Sequence, residues 1–314
     1  MEGIFLDQRR LALEKARAIW PDHVITDYFD RWVAERPGAM AIAGYRQDEG
    51  PTASLSWLDL ARAVGAIARG LRGRGIGKGD VVSFQLPNWW QFVAVHLACV
   101  RIGAISNPLM PIFRHRELSF MVAHAESKVF IAPVRFRDFD HAALAFALKA
   151  EVPSLRHVFL IGGSGEHSFE QALLSGMEGG AAETGAGLGP NDIVQLLYTS
   201  GTTGEPKGAM HTSNTLIGTT LTFIERMQLG QDDVVFMPSP LAHQIGFEYG
   251  LLVSVLLGVP LVLMDVWNAA RAVELMERHR TTFSFAAPPF LADITSFPGI
   301  ESRALDAFRL FVAS

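Results

Sequence analysis

Eleven residues, Tyr198-Thr-Ser-Gly-Thr-Thr-Gly-Glu-Pro-Lys-Gly208, concentrate the groups that could do chemistry. Four hydroxyl side chains, Thr199, Ser200, Thr202 and Thr203, stand among Gly201, Gly204 and Gly208, with one cation, Lys207. Glycine lets a backbone approach an anion closely. Backbone N–H groups and hydroxyls then donate to phosphate oxygens, and lysine adds a point charge. The chemistry these residues suit is holding a polyphosphate. The string departs from the standard P-loop, Gly-x-x-x-x-Gly-Lys-Ser/Thr. Counted from Gly201, Pro206 stands at the second glycine and Gly208 at the Ser/Thr position. Pro206 has no N–H to donate, so Lys207 is expected to lead into a strand rather than into the first turn of a helix. A polar hairpin loop without a ligand is the competing reading, and the length of the string weighs against it.

A second candidate is His243, in Pro240-Leu241-Ala242-His243 with Gly246 close behind. A lone histidine after a strand is more often structural than catalytic, so its neighbours must carry the argument. Other features carry less. The histidines lack metal-site spacing and have no cysteine companions. Cys99, the single cysteine, sits among Val95, Leu97, Ala98 and Val100 and reads as core packing. Gly73 to Asp80 lacks the third glycine of a dinucleotide loop and follows a helix instead of a strand. Gly163-Ser164-Gly165 lacks the nucleophile-elbow spacing. Trp89 and Trp90 open a helix beside a sheet and read as packing.

The elements that must position these residues follow from periodicity. Short apolar runs are expected as strands at Val81–Leu86, Ala104–Asn107, Val129–Ala132, His157–Ile161, Ile193–Tyr198, Gly208–His211, Val234–Met237, Val259–Met264, Thr282–Ala286 and Leu310–Val312. Amphipathic helices alternate with them, for instance Trp89–Ile102 and Ala269–His279, and a helix is expected to run to Leu257. Thr26 and Ser213 are candidate caps, and Ser56 with Asp59 forms a capping-box pattern. This alternation means βαβ units and a mostly parallel sheet. Residues 162–190 are rich in glycine and alanine and read as a surface linker, helical only at Phe169–Met177. The division expected is therefore 1–185, an α/β subdomain with amino-terminal helices, and 186–314, a second α/β subdomain carrying the phosphate loop.

Composition bounds the function. With 314 residues, 49% hydrophobic and 19% charged, the chain can bury two cores. A net charge of −5 without a basic, aromatic-interleaved patch argues against nucleic acid as a partner. The most apolar stretch, Leu251–Met264, is too short for a span of roughly 20 residues and is broken by Gly258 and Pro260. Residues 1–20 mix acidic and basic side chains with no continuous apolar run, unlike a secretory signal. A reducing, cytoplasmic setting fits the lone cysteine.

The eleven-residue string resembles the phosphate-binding signature of the adenylate-forming superfamily, which holds acyl-CoA synthetases, adenylation domains of peptide synthetases and firefly luciferase. Pro240–His243 with Gly246 resembles the family's next motif, and Ala287-Pro288-Pro289 resembles the turn before its following helix. Asn107-Pro-Leu-Met-Pro-Ile-Phe-Arg114 and Pro240–Tyr249 look most like cyclohexanecarboxylate-CoA ligases and nearby medium-chain or aryl acid ligases. The resemblance implies an α/β fold of two stacked, mostly parallel βαβ sheets with surrounding helices, the large amino-terminal domain of an acyl-CoA synthetase. It implies ATP with Mg²⁺, and CoA as a substrate. Thr199, Ser200, Gly201, Thr202, Thr203, Gly204 and Lys207 would hold the β- and γ-phosphates, with no residue assigned to the metal. His243 would stand where carboxylate, nucleotide and thiol meet. Gln244, Phe247 and Leu251 would line the acyl pocket, which with Tyr249 suits an apolar acid. Relatives also use an adenine-holding strand, an acidic residue in a Tyr-Gly-x-Thr-Glu-like motif and a small carboxy-terminal lid. These 314 residues contain no such string, so the chain is expected to be truncated and inactive alone. Adenylation that loads a carrier protein, and a non-catalytic nucleotide-binding fragment, are the alternatives; a homodimer is left open.

Overall fold

The computed structural model describes residues 7–47, 49–177, 188–199 and 206–314. They form two compact units, each gathered from separate stretches of chain. One comprises residues up to Thr26, Ala61–Pro87 and Ala94–Gly218; the other comprises Asp27–Leu60, Asn88–Val93 and Thr219–Ser314. The expected division at residues 185 and 186 is a single cut, whereas these units interleave in sequence, because strands far apart in the chain pair side by side.

The first unit is built on a six-stranded sheet. Its strands lie in the order Lys207–Thr212, Ile193–Thr199, Ile105–Pro108, Val81–Phe84, Val129–Pro133 and His157–Ile161. All neighbours are parallel except the first two, which are antiparallel. Val81–Phe84, Ile105–Pro108 and Val129–Pro133 are buried at every residue, as expected of parallel strands covered on both faces. Helices His115–His124 and His141–Glu151 supply Leu118, Met121, Leu144 and Leu148, which pack on Phe130, Val158 and Leu196. The second of these helices, capped by Asp140 through the Ala143 amide (2.9 Å), was not legible in the apolar pattern.

Several polar groups inside this sheet are paired along its middle, while Asn107 Oδ1 and both amide atoms of Gln195 are buried without a partner among the described residues. Ser83 and Ser127 share a hydrogen bond of 2.6 Å, and Asn107 Nδ2 donates to Ser83 Oγ at 2.8 Å. His96 is fully buried, and desolvation pushes its pKa down to about 3, so the ring is neutral. Ser106 Oγ spends its proton on the Val194 carbonyl (3.1 Å), so His96 Nδ1–H donates to Ser106 (2.8 Å). This chain of bonds ties Ile105–Pro108 to Ile193–Thr199.

The second unit carries the other six-stranded sheet, in the order Leu310–Ala313, Phe283–Ala286, Val235–Met237, Leu261–Met264, Met40–Arg46 and Gly50–Ser56. Only the last pair is antiparallel. The strands Met40–Arg46 and Gly50–Ser56 did not read as strands, since Gly44, Gly50 and Pro51 weaken the pattern. Tertiary pairing of Ile42 to Tyr45 with Leu261 to Met264 secures them. Phe236, Val262, Val273 and Met276 form the core on one face.

The caps split. Ser56 and Asp59 bond reciprocally, Ser56 N to Asp59 Oδ2 (3.2 Å) and Asp59 N to Ser56 Oγ (3.1 Å), as the spacing predicted. Thr26 lies inside helix Ile25–Glu35 instead of capping it. Thr212, not Ser213, caps helix Ser213–Arg226: Thr215 N donates to Thr212 Oγ1 (3.2 Å), and Thr212 N donates to Thr215 Oγ1 (3.0 Å). The linker holds a helix at Phe169–Leu173, shorter than expected; residues 178–187 lie outside the described residues.

Arg309 fastens the strand Leu310–Ala313. Its guanidinium grips Asp233 through two bonds (3.0 and 2.8 Å) and the Gln228 carbonyl (2.8 Å), while Thr282 Oγ1 donates to Asp233 (2.6 Å). Burial acts to raise the Asp233 pKa; Arg309, Thr282 and the Gly230 amide outweigh it and hold the carboxyl below its ordinary 3.8. A carboxylate depressed in the folded state contributes stability above its unfolded pKa and loses it as pH falls through the folded one. Arg309→Met should therefore cost about 1–2 kcal/mol at pH 7, less than a fully buried pair because the arginine is 42% exposed. Urea melts of wild type and variant should converge as pH drops below 3.8; a gap unchanged at pH 2.5 would refute the assignment.

Candidate active site

In the first unit, the phosphate-type string spans the one antiparallel turn of the sheet. Lys207 opens the strand Lys207–Thr212 and pairs in register with Thr199, the last residue of Ile193–Thr199. The lysine leads into a strand, as Pro206 required. Both residues are exposed, and Thr199 Oγ1 donates to the Lys207 carbonyl at 3.4 Å. A cation and a hydroxyl therefore flank the two ends of the connecting loop. Ser200, Gly201, Thr202, Thr203 and Gly204 lie outside the described residues.

The loop's base is fixed from below. Tyr198, one residue before it, is buried; its hydroxyl donates to the Met121 carbonyl (3.1 Å) and accepts from His124 Nδ1 (2.8 Å). Burial raises its pKa to about 12, so it remains neutral. Gly208 faces the same spot across the ladder. A Cβ there would sit 2.9 Å from Leu196 Cδ1, the tip of a flexible side chain, and 3.5 Å from the Tyr198 ring, so a larger residue would make Leu196 shift.

In the second unit, the motif around His243 starts at the end of Val235–Met237. Asn88 holds the turn that follows: its Nδ2 donates to the Met237 and Ser239 carbonyls (3.3 and 2.9 Å), and its Oδ1 accepts from Leu241 N (2.8 Å). Sequence reading missed Asn88. An amide buried between Pro87 and two tryptophans was the available signal, and it has no characteristic spacing. His243 then caps the helical segment Gln244–Leu257, its Nδ1 accepting from Ile245 N (3.2 Å). With Nδ1 an acceptor, a neutral ring carries its proton on Nε2, which has no partner among the described residues. Desolvation lowers the ring's pKa, although the residue as a whole is exposed. The exposure is the more telling fact, because it leaves the ring open to a ligand.

The helix is not regular α throughout. Phe247–Leu252 forms a π-helical turn, a feature concentrated at functional sites and invisible to a 3.6-residue pattern. Gly246 makes its start possible: a Cβ there would collide with the Pro240 carbonyl oxygen. Phe247 and Leu251, expected to line an acyl pocket, are fully buried and leave no surface for a ligand in this conformation. Gln244 and Tyr249 keep partial exposure. Tyr249 stacks on Phe285 (4.4 Å between centroids) and meets Phe223 (4.3 Å), giving an aromatic wall. Glu248, which the sequence reading passed over, is buried within the same turn. The described residues bring together no group of three or more His, Cys, Asp or Glu that could hold a metal ion, so no side chain is assigned to magnesium. No helix among them is long and apolar enough to cross a membrane.

Gly246→Ala should force the Pro240 turn and the helix apart and cost about 1–3 kcal/mol. Thermal melts would check it; an unchanged Tm would show that the contact relaxes freely.

Comparison with known proteins agrees in detail with this architecture. A family profile described as AMP-binding enzyme matches residues 29–313. The medium-chain fatty-acid–CoA ligase of Escherichia coli (strain K12) is 30% identical over 312 residues, covering 98% of this chain and 54% of that protein. The 2-hydroxy-7-methoxy-5-methyl-1-naphthoate–CoA ligase of Streptomyces carzinostaticus is 34% identical over 93% of this chain and 56% of its own length. The chain thus spans about half the length of these relatives. Among solved structures, apo MbtA of Mycobacterium smegmatis superposes with a TM-score of 0.84 at 23% identity, over 98% of this chain and 55% of that one. The anthranilate CoA ligase AuaEII in complex with anthranoyl-AMP gives 0.81 at 20%, over 93% and 55%. The structural likeness establishes the fold, and the profile, matching most of the chain, establishes that it belongs to the AMP-binding enzyme family.

Proposed function

We propose that this chain is the nucleotide- and acid-binding half of a carboxylate–CoA ligase. The observation that carries the reading is the Thr199–Lys207 pair, which sets a hydroxyl and a cation at the two ends of the hydroxyl- and glycine-rich loop. In the first step a substrate carboxylate oxygen attacks the α-phosphorus of ATP, and the bond to the bridging oxygen of pyrophosphate breaks. Charge grows on the leaving group, and preorganised donors there lower the barrier. Thr199, Ser200, Thr202, Thr203, the amides of Gly201 and Gly204, and Lys207 act as those donors. Mg²⁺ bound with ATP would supply further charge neutralisation at the leaving group. In the second step the CoA sulfur attacks the acyl carbonyl and AMP leaves. His243, with Nε2–H open, stands at the carbonyl between the two steps.

The acid is of moderate size and largely apolar: alicyclic, medium-chain or aryl. Tyr249, Phe223 and Phe285 offer an aromatic wall, and Gln244–Leu257 holds no basic residue for a second carboxylate. The names of the relatives, a medium-chain fatty acid ligase and a naphthoate ligase, support that range.

ATP–pyrophosphate exchange over a panel of such acids tests the reading, and no acid-dependent exchange in a protein carrying this segment whole would refute it. Replacing Thr202 and Thr203 together with Ala should slow adenylate formation by roughly 100-fold or more, on the scale of lost oxyanion donors, and change acid affinity little. His243→Ala should slow the two half-reactions unequally in single-turnover assays; equal, negligible effects would assign His243 to packing alone.

A further inference from the structure

The π-helical turn buries a carboxylate that the proposed chemistry does not use. Glu248 is 8% exposed. Its Oε1 accepts from Gln244 Nε2 (2.7 Å) and Thr219 Oγ1 (3.4 Å). Its Oε2 takes no bond and no cation from the described residues, but it is not sealed from solvent. Beside it, Gln244 Oε1 is buried with no donor. Reversing the amide does not help, since the nitrogen is already spent on Glu248. One sealed acceptor, Gln244 Oε1, and one carboxylate oxygen without a protein donor therefore lie on two side chains bonded to each other, one turn along the helix from His243 and one residue from the aromatic wall of Tyr249.

Such an arrangement is costly unless something completes it. Burying a carboxylate without a charged partner is expensive, and an acceptor left without a donor loses the bonds it had in water. Burial accordingly raises the Glu248 pKa against the opposing bonds from Gln244 and Thr219. Nothing in the packing of the unit demands an acid here: the neighbouring positions Phe247, Leu251 and Leu252 are apolar and fully packed. The unmet groups are all acceptors, so what completes them must donate.

We propose that Glu248 and Gln244 select the substrate: they read a hydrogen-bond donor, a hydroxyl or an amino group, carried on the acyl portion of the acid. This rests on the carboxylate–CoA ligase reading and narrows it. The acid's hydrocarbon lies against Tyr249, Phe223 and Phe285, and its donor reaches Glu248 Oε2 and Gln244 Oε1. An acid lacking the donor leaves Gln244 Oε1 buried and unpaired, and that penalty is what discriminates. Thr219 and Gln244 hold the carboxylate in place; they are positioning residues for it.

The test is isothermal titration of the 314-residue chain with matched acids: cyclohexanecarboxylic acid, its ring-hydroxylated and ring-aminated forms, and the corresponding benzoic acids. Wild type should bind at least one donor-bearing acid roughly tenfold or more tighter than its unsubstituted partner. Which arm gains, hydroxyl or amino, tells whether Glu248 acts as a neutral or a charged partner. Glu248→Met should reduce the preference to less than about twofold while raising or preserving Tm, because an apolar side chain removes a buried unpaired charge. A purely structural Glu248 would instead lower Tm and leave the preference unchanged. Equal affinities in wild type for every matched pair overturn the inference and leave the ligase reading standing. Failure to bind any acid overturns both. Should Glu248→Met not fold, the wild-type comparison alone decides.

Discussion

The register of Thr199 against Lys207 is the contact on which the proposed phosphate loop depends. Every other strand of that sheet runs parallel, and a parallel neighbour needs a long crossover to reach it. Among the described strands of this sheet, only at this edge is a pair antiparallel, with Thr199 and Lys207 at the two ends of a short connection. Beneath that edge, Tyr198 is anchored in the core by its hydroxyl, and Gly208 packs its backbone against Leu196 and the Tyr198 ring. The proposed anion site would differ in construction from the helix-N-terminal loop, with strand ends in place of a helix dipole.

The core of the first unit shows what it takes to hold such an edge steady. A sheet buried on both faces leaves no water to satisfy a stray polar group, so each one inside must find a partner or strain the fold. His96, Ser106 and the Val194 carbonyl form one such chain, with Asn107, Ser83 and Ser127 as another beside it. Desolvation keeps His96 neutral over the whole physiological range, which allows an imidazole to serve as a fixed donor in an apolar layer.

The second unit solves a different problem. A helix must start a short turn after a strand, close to the backbone that precedes it, and present His243 at its tip. Gly246 permits the approach, Asn88 satisfies the carbonyls and amide exposed by the turn, and His243 caps the helix with its own ring nitrogen. The π-helical turn that follows shifts which residues face inward. Phe247 and Leu251 become core, while Gln244 and Tyr249 remain partly open, and Glu248 is drawn inside with an oxygen left over. The chemistry of the candidate acyl site is therefore set as much by helix winding as by residue type.

By itself the sequence determined the alternation of strands and helices, the class of fold, the phosphate-type string and the strand that Lys207 begins. These are local properties: apolar runs of strand length, a proline without a donor, glycines and hydroxyls in one short span. The box at Ser56 and Asp59 was legible for the same reason. Tertiary structure alone decided the rest. Met40–Arg46 and Gly50–Ser56 are strands because Leu261–Met264 offers them a partner, against the weak propensity of their glycines, proline and small residues. The two units interleave along the chain because pairing ignores sequence distance. Asn88 matters only where the Met237–Leu241 turn meets it. The burial of Glu248 and the closure of Phe247 and Leu251 depend on a five-residue hydrogen-bond step that no 3.6-residue pattern contains, since side-chain direction in a helix is fixed by how tightly its backbone is wound.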